Sequence, residues 1–290
     1  MKPSPFEYFA PENIEEALHL LAADEQARPL AGGQSLVPMM NLRLARPSVL
    51  IDLNRIVELA GAKECEGGLL IGAMTRQSQL LRDPLVARHA PLVVEALAFV
   101  GHPATRARGT IGGSLSNADP AAELPAIMLA LDAELIVCRV DRVRRMAAGE
   151  FFIGMFETAL EPSELLTAIS IPSAGSSDVS AFLEMSRRHG DFAIVSVAVN
   201  ISFEKNDMCR AARIVLGGMA GAPMRCKAAE NMAVGHELTD RLISDCVDAI
   251  DPESVEMDSR GASKAFRVHA ARVLMRRVLE TVRQRREAMT

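Results

Sequence analysis

Two glycine pairs are where this sequence declares chemistry most openly: Ala31-Gly32-Gly33-Gln34-Ser35 and Thr110-Ile111-Gly112-Gly113-Ser114. Glycine tolerates positive φ and has no Cβ, so a ligand can approach the main chain closely. Consecutive N–H groups in such a turn form a concave site suited to a phosphate or pyrophosphate. The first pair does not have the Gly-x-Gly-x-x-Gly spacing of a dinucleotide-binding Rossmann turn, and Pro38 interrupts the helix that would come after it. It also lacks the Lys-Ser/Thr of a P-loop. A phosphate cradle of another fold and a plain structural turn both remain open for it. The second pair runs into Ser114-Leu115-Ser116-Asn117-Ala118-Asp119-Pro120-Ala121-Ala122-Glu123, whose hydroxyl, amide and carboxylate groups could hold ribose and phosphate. The same stretch also reads as a capped loop, with Asp119 and Pro120 as N-cap and first residue of a helix near Leu124.

Other reactive groups are sparse. His19, His89 and His269 fall in helical segments and read as packing or surface residues, whereas His102 lies close enough to the second pair to approach a ligand. Arg187, Arg188, His189 and Asp191 form a polar loop before an apolar strand. Cys65, Cys138, Cys209, Cys226 and Cys246 are odd in number and widely spaced, which argues against a disulfide scaffold or a metal or iron–sulfur site held by this chain alone. No Ser-His-Asp or Cys-His arrangement can be placed by spacing.

The elements that must position these groups can be read from periodicity. Residues 12–23 read as an amphipathic helix with Ile14, Ala17, Leu18 and Leu21 on one face and Asn13 as cap. Arg28 to Ala31 is a strand entering the first turn, 36–44 a helix or extended turn, and Ser48 to Leu53 a strand. A second block has strands at 68–73, 134–138 and 165–171 and helices after Thr75, taken as a cap, and over 91–100. Gly175-Ser176-Ser177-Asp178 is linker-like. Beyond it, 181–185, 194–203 and 209–216 read as three antiparallel strands, followed by helices over 227–233, 238–249 and 263–285. The expected divisions are 1–56, 57–177 and 178–290 in a mixed α+β chain.

The 290 residues are about half apolar and carry a net charge of −5, enough for a sizeable core and without a basic stretch for nucleic acid. The arginines at 142, 144 and 145, and at 283, 285 and 286, are read as solvated faces or subunit contacts. No apolar run approaches the roughly 18 residues of a membrane span. The first seven residues lack the apolar centre of a signal peptide, so a cytoplasmic location is expected.

At these residues the whole chain resembles the FAD-binding medium subunit of molybdenum hydroxylases, the group of carbon monoxide, quinoline, nicotine and xanthine dehydrogenases. The Phe6-Glu7-Tyr8 and Pro11 pattern, the block from Ala31 to Leu53, the block from Gly109 to Pro125, 165–172 and 186–197 carry the likeness. The resemblance implies a two-subdomain FAD fold of the vanillyl-alcohol-oxidase type and a small C-terminal domain with a three-stranded antiparallel sheet. It implies that Ala31, Gly32, Gly33, Gln34, Ser35 and Leu36 wrap the pyrophosphate. Thr110, Ile111, Gly112, Gly113 and Ser114 then hold the other side, with Asn117 and Asp119 as neighbours. Glu123 falls where the family binds a ribose hydroxyl, Leu166 near the adenine, and Phe192 near the isoalloxazine ring. Gln34 stands where many relatives have His, Ser114 where Asn is common, and Leu183 and Val100 depart from the xanthine enzymes in a way that counts against their use of NAD+.

The implied role is an oxidoreductase subunit that takes electrons from two [2Fe–2S] clusters on a small partner and passes them to an external acceptor. Substrate is hydroxylated at a molybdenum cofactor on a large partner, and a dimer of heterotrimers is expected, with no membrane span and no nucleic acid. A stand-alone flavin oxidoreductase and an assembly subunit without FAD are the alternatives.

Overall fold

The computed structural model describes residues 1–259 and 261–289. The chain opens with β1 (Glu7–Phe9), α1 (Ile14–Ala23), β2 (Arg28–Leu30), α2 (Leu36–Asn41) and β3 (Val49–Asp52). The helical period at 14–23 becomes α1, with Ala17, Leu18 and Leu21 buried, and Asn13 Oδ1 accepts from the Glu16 N–H at 2.9 Å. Glu15 and Glu16 in its first turn suit the positive end of the helix. Pro38 is tolerated because α2 is a single short helix and its first-turn N–H groups need no intrahelical acceptor. The strands form a parallel sheet in the order β1-β3-β2.

The second lobe is an antiparallel sheet in the order β4-β5-β10-β6-β7, from β4 (Ala62–Cys65), β5 (Gly68–Gly72), β6 (Glu134–Arg139), β7 (Arg142–Ala147) and β10 (Leu165–Pro172). Leu135, Ile169 and Ile71 lie side by side across three strands and are fully buried, a cross-strand row that fixes register. Between β5 and β6 the chain leaves the sheet through α3 (Gln77–Leu80), α4 (Pro84–His89), α5 (Pro91–Leu97), α6 (Pro103–Arg108), α7 (Ile111–Asn117) and α8 (Glu123–Ala130). The short α9 (Ala148–Phe151) and the hairpin of β8 (Phe152–Gly154) and β9 (Glu157–Thr158) complete it. His89 is a packing residue, held between Glu64 and the Ser173 hydroxyl at 2.8 Å each.

The C-terminal sheet runs β11-β12-β13-β14, from β11 (Asp178–Met185), β12 (Val195–Phe203), β13 (Cys209–Gly217) and β14 (Met224–Arg225). A fourth strand of two residues thus joins the expected three. One face packs on α10 (Lys227–Ala233), α11 (Asp240–Asp248) and the long α12 (Lys264–Glu287); Val197, Val199, Ile214, Leu274, Val278 and Val282 belong to that core. On the other face, Phe182, Ala198 and Val215 join the core of the second lobe. The helix between them, α8, is apolar on all sides after Glu123 and every one of its residues is buried, as a helix between two cores must be. Phe99 and Phe182 meet edge to face across this seam, 5.4 Å between centroids. Arg285 closes it by bonding Glu95 at 2.8 Å and the Ser180 carbonyl.

Four local expectations differ from the structure. Thr75 does not cap a helix: its buried hydroxyl bonds the Gly61 N–H and the Gly72 carbonyl, and Arg76 occupies the cap position. Asp119 closes an Asx turn on the Ala121 N–H at 2.9 Å, so α8 starts after Ala122 with no side-chain cap. Thr110-Ile111-Gly112-Gly113 is the start of α7 rather than a free turn, with Thr110 Oγ1 accepting from Gly113 at 3.0 Å. The arginine group at 142–145 lies in a strand, β7, that was not expected; Arg142 and Arg145 are exposed, in keeping with a solvated face, while Arg142 and Arg144 also bond Glu164, which has almost no exposed side chain.

Candidate functional site

A cleft of about 620 Å³ opens between the first two lobes, with the β11–β12 loop reaching its edge. The first glycine pair forms one wall. Gly33 has φ +70°, a left-handed backbone that L side chains rarely adopt, and this turns the chain from β2 into α2. The N–H groups of Gly33, Gln34, Ser35 and Leu36 donate to no acceptor among the described residues. They are consecutive and stand beside the cleft, which is the donor set an anion requires. Gln34 Nε2 turns back to the Gly32 carbonyl at 3.3 Å, and the Ser35 hydroxyl makes no bond with the described residues.

The second pair is built differently. Every N–H from Ile111 to Ser114 is already used: Ile111 donates to Thr75 O at 3.1 Å, Gly112 to Ala73 O at 2.8 Å, Gly113 to Thr110 Oγ1, and Ser114 to Thr110 O. Its glycines serve close packing instead. A Cβ on Gly112 would stand 2.5 Å from Ala73 Cβ, and one on Gly113 would stand 3.3 Å from Ala31 Cβ. The two pairs are therefore in direct contact. A Cβ on Gly32 would collide with the Arg108 carbonyl and stand 2.8 Å from Gly109 Cα. Arg76 holds this junction from behind by donating to the Arg108 carbonyl and to Asn54 Oδ1, while Asn54 Nδ2 donates to Ala31 O at 3.0 Å.

Thr110, Gly112, Gly113, Ser114, Asn117, Asp119 and Glu123 all line the cleft along α7 and the start of α8, and Leu166 lines it from β10. The side chains of Ser114, Ser116 and Asn117 form no bond with the described residues, which leaves hydroxyl and amide groups for a ligand. Ile111 is the exception among the sequence-derived residues. It does not border the cleft; its side chain is fully buried in the second-lobe core. Phe192 borders the cleft from the β11–β12 loop and is 64% exposed. His102 faces that loop rather than the cleft, since a Cβ on Gly190 would meet its ring at 2.6 Å.

Two acidic groups mark the seam. Burial pushes the Glu123 carboxyl up to about 7, with Asp119 nearby adding to the rise. Burial, with the charge of Glu123, pushes Glu184 up to about 8, and Glu184 Oε2 is enclosed with no hydrogen-bond partner. Asp119 is also raised by burial. Sequence reasoning missed three parts of the lining: Asp24, Glu25 and Arg28 after α1; Glu161 to Leu165 before β10; and Gln77, Val100, Thr105 and Gly109 around α3 and α6. Only the second carried a signal, the Pro162-Ser163 turn ahead of an apolar strand. Among the described residues no group of His, Cys, Asp and Glu side chains is arranged to hold a metal ion.

A cleft walled by an uncommitted N–H run and by polar side chains of a second lobe is the arrangement of a site for an extended anionic ligand. Residues 4–174 match the family described as the FAD binding domain in molybdopterin dehydrogenase, and residues 180–282 match the CO dehydrogenase flavoprotein C-terminal domain. The chain belongs to this family of FAD-binding oxidoreductase subunits. It is 36% identical over 280 residues to the 6-hydroxypseudooxynicotine dehydrogenase complex subunit alpha of Paenarthrobacter nicotinovorans, covering 96% of this chain and 95% of that one. It is 35% identical to the carbon monoxide dehydrogenase medium chain of Afipia carboxidovorans, over 98% and 99% of the two chains. Among solved structures, carbon monoxide dehydrogenase from Hydrogenophaga pseudoflava superposes with a TM-score of 0.95 at 33% identity, over 98% of this chain and 99% of that one. Quinoline 2-oxidoreductase from Pseudomonas putida 86 gives 0.93 at 34% identity, over 99% of each chain. No helix among the described residues is long and apolar enough to cross a membrane.

Proposed function

We propose that FAD lies extended in this cleft and that the chain passes electrons from the [2Fe–2S] clusters of a small partner subunit to an external acceptor. The observation that carries the placement is the run of uncommitted N–H groups from Gly33 to Leu36, which would hold the pyrophosphate. Ala31 and Gly32 set the position of that run against the second lobe. Thr110, Gly112, Gly113, Ser114 and Asn117 would border the middle of the cofactor, with Asp119 beside them. Glu123 would accept from a ribose hydroxyl, Leu166 would pack at the adenine end, and Phe192 would cover the ring end. Ile111 acts indirectly, as a core residue that anchors the first turn of α7.

Bound FAD supplies the redox chemistry, accepting electrons singly or in pairs. The chain contributes a rigid two-walled grip, exclusion of water by the apolar parts of the wall, and a Glu123 carboxyl whose hold on its proton is strengthened by burial. A large partner with the molybdenum cofactor would carry substrate hydroxylation, and two copies of the three-chain unit would associate. The cytoplasm is the proposed location. Support comes from the full-length match to medium chains of such dehydrogenases. The test is direct: purify the chain, add FAD, and record the visible spectrum. Stoichiometric flavin, with iron and molybdenum arriving only when two further chains co-purify, is expected. A chain that takes up no FAD refutes the reading, and substrate-dependent flavin reduction by the isolated chain refutes the relay role.

A further inference from the structure

We propose that Gln77 is a cofactor-contacting residue whose side-chain amide hydrogen-bonds the edge of the flavin ring; this rests on the FAD placement above. Gln77 begins α3, with Ala73 to Arg76 linking it to β5, and its own N–H is fixed by the Gly109 carbonyl at 2.9 Å. The side chain lines the cleft with Val100, Thr105 and Gly109. The loop carrying Phe192 reaches the same corner, because Gly190 of that loop packs on the His102 ring at the start of α6. The ring end assigned to Phe192 and the corner holding Gln77 therefore coincide.

The state of the amide is what points to a ligand. Gln77 is only 4% exposed, and its Oε1 is enclosed with no hydrogen-bond partner. No bond from Nε2 to the described residues is present either. Gly109 has no Cβ to spare: one placed there would stand 2.6 Å from Oε1. A folded chain rarely encloses an amide oxygen with no donor, since the unmade bond costs more than an apolar side chain of the same shape would, and here Nε2 is the end left open. Two neighbouring donors are otherwise engaged. Gly109 N–H donates to Thr105 O, and Arg106 is spent on the carbonyls of Val100 and Gly101.

An amide matches this partner because it can both donate and accept. The flavin edge offers acceptors at O2, O4, N1 and N5 and a donor at N3. Two-electron reduction with uptake of one proton turns N5 from an acceptor into an N–H donor. A neutral Gln can serve either form by presenting Nε2 or Oε1, whereas a fixed charge would favour one of them.

The test uses the full chain with Gln77→Leu and Gln77→Met, near-isosteric side chains with no amide. Without FAD, both should melt at or above the wild-type temperature, because an unsatisfied buried group has been removed. With FAD, both should bind about three- to tenfold more weakly, the loss of one hydrogen bond. The visible band and the midpoint potential of the bound flavin should shift as well. Opposite signs in the two measurements are not produced by a packing role. Flavin affinity within twofold of wild type, with unchanged spectrum and potential, overturns the proposal. Loss of the native melt in both variants also overturns it, since it would make the amide a structural partner. Failure of the wild-type chain to bind FAD instead refutes the placement on which it rests.

Discussion

Gly32→Ala tests the contact between the two walls of the cleft. The added Cβ would stand 2.8 Å from Gly109 Cα and would run into the Arg108 carbonyl. Both neighbours are backbone, so no side chain can rotate away. Reaching ordinary contact requires the Ala31–Gly32 segment to retreat from the second lobe by about 0.6 Å or more. That retreat strains the Asn54-to-Ala31 bond and the Arg76 link behind it. Overpacking of this kind costs about 1–3 kcal/mol. For a chain of this size each kcal/mol lowers Tm by roughly 2–4 °C, so a fall of about 3–10 °C is expected. The N–H run beginning at Gly33 moves with it. Losing good geometry on about two charge-assisted bonds weakens FAD binding about 100-fold or more. Gly149→Ala is the control, because its Cβ meets only Leu129 Cδ1 at 3.4 Å within a helix. Differential scanning fluorimetry and quenching of FAD fluorescence read both effects. A Gly32→Ala chain with wild-type Tm and wild-type FAD Kd refutes the close contact of the walls.

Buried polar groups give two further expected outcomes. Glu123 and Glu184 have folded values of about 7 and about 8 against an ordinary 4.5, so the folded chain keeps protons that the unfolded chain releases. Their stabilising protonation is complete below about 4.5 and is lost as pH rises through 7 and 8; for Glu123 this amounts to at most about 3 kcal/mol. Melts of the FAD-free chain between pH 5 and 9 should fall, and Glu184→Gln should flatten the slope; a slope unchanged by that substitution contradicts the assignment. Arg267 is buried and donates to the carbonyls of Gly218, at 2.7 Å, and Ile194. Arg267→Met leaves both unpaired and should cost about 2–4 kcal/mol in urea denaturation, and a loss below 0.5 kcal/mol would show that water replaces it.

How much of this was legible in the sequence depended on whether the determinant was local. The helix at 14–23 was visible because its apolar period and its Asn13 cap lie within one window. The strand at 165–172 was visible because β-branched and apolar residues run to a proline. The first glycine pair was legible for the same reason, since Gly33 needs its positive φ to make the turn itself. The second pair was misread as a turn because Gly112 answers to Ala73, nearly forty positions earlier, and Gly113 to Ala31, earlier still. Strand β7 was hidden by its arginines, whose partners Glu161 and Glu164 come later and are brought close only by the fold. Asp119 looked like a cap, and the competing Asx turn used the same oxygen. Gln77 carried no signal, because an unsatisfied amide is a property of the folded surroundings.

The helix α8 has consequences for how the protein comes apart. It is covered by the second-lobe core on one side and by β12 and β13 on the other, and its first residue is part of the cleft wall. A layer shared by two cores cannot be exposed by one without the other. The C-terminal sheet and the second-lobe wall of the cleft should therefore open together, as one cooperative unit in hydrogen exchange. The parallel sheet β1-β3-β2 has a separate core around Leu18, Ile51 and Leu59, to which the second lobe adds Met74 and Leu165. Loss of the nucleotide grip through that lobe would then be the milder, lower-energy opening, and a cofactor could come and go without disturbing the layer beneath it.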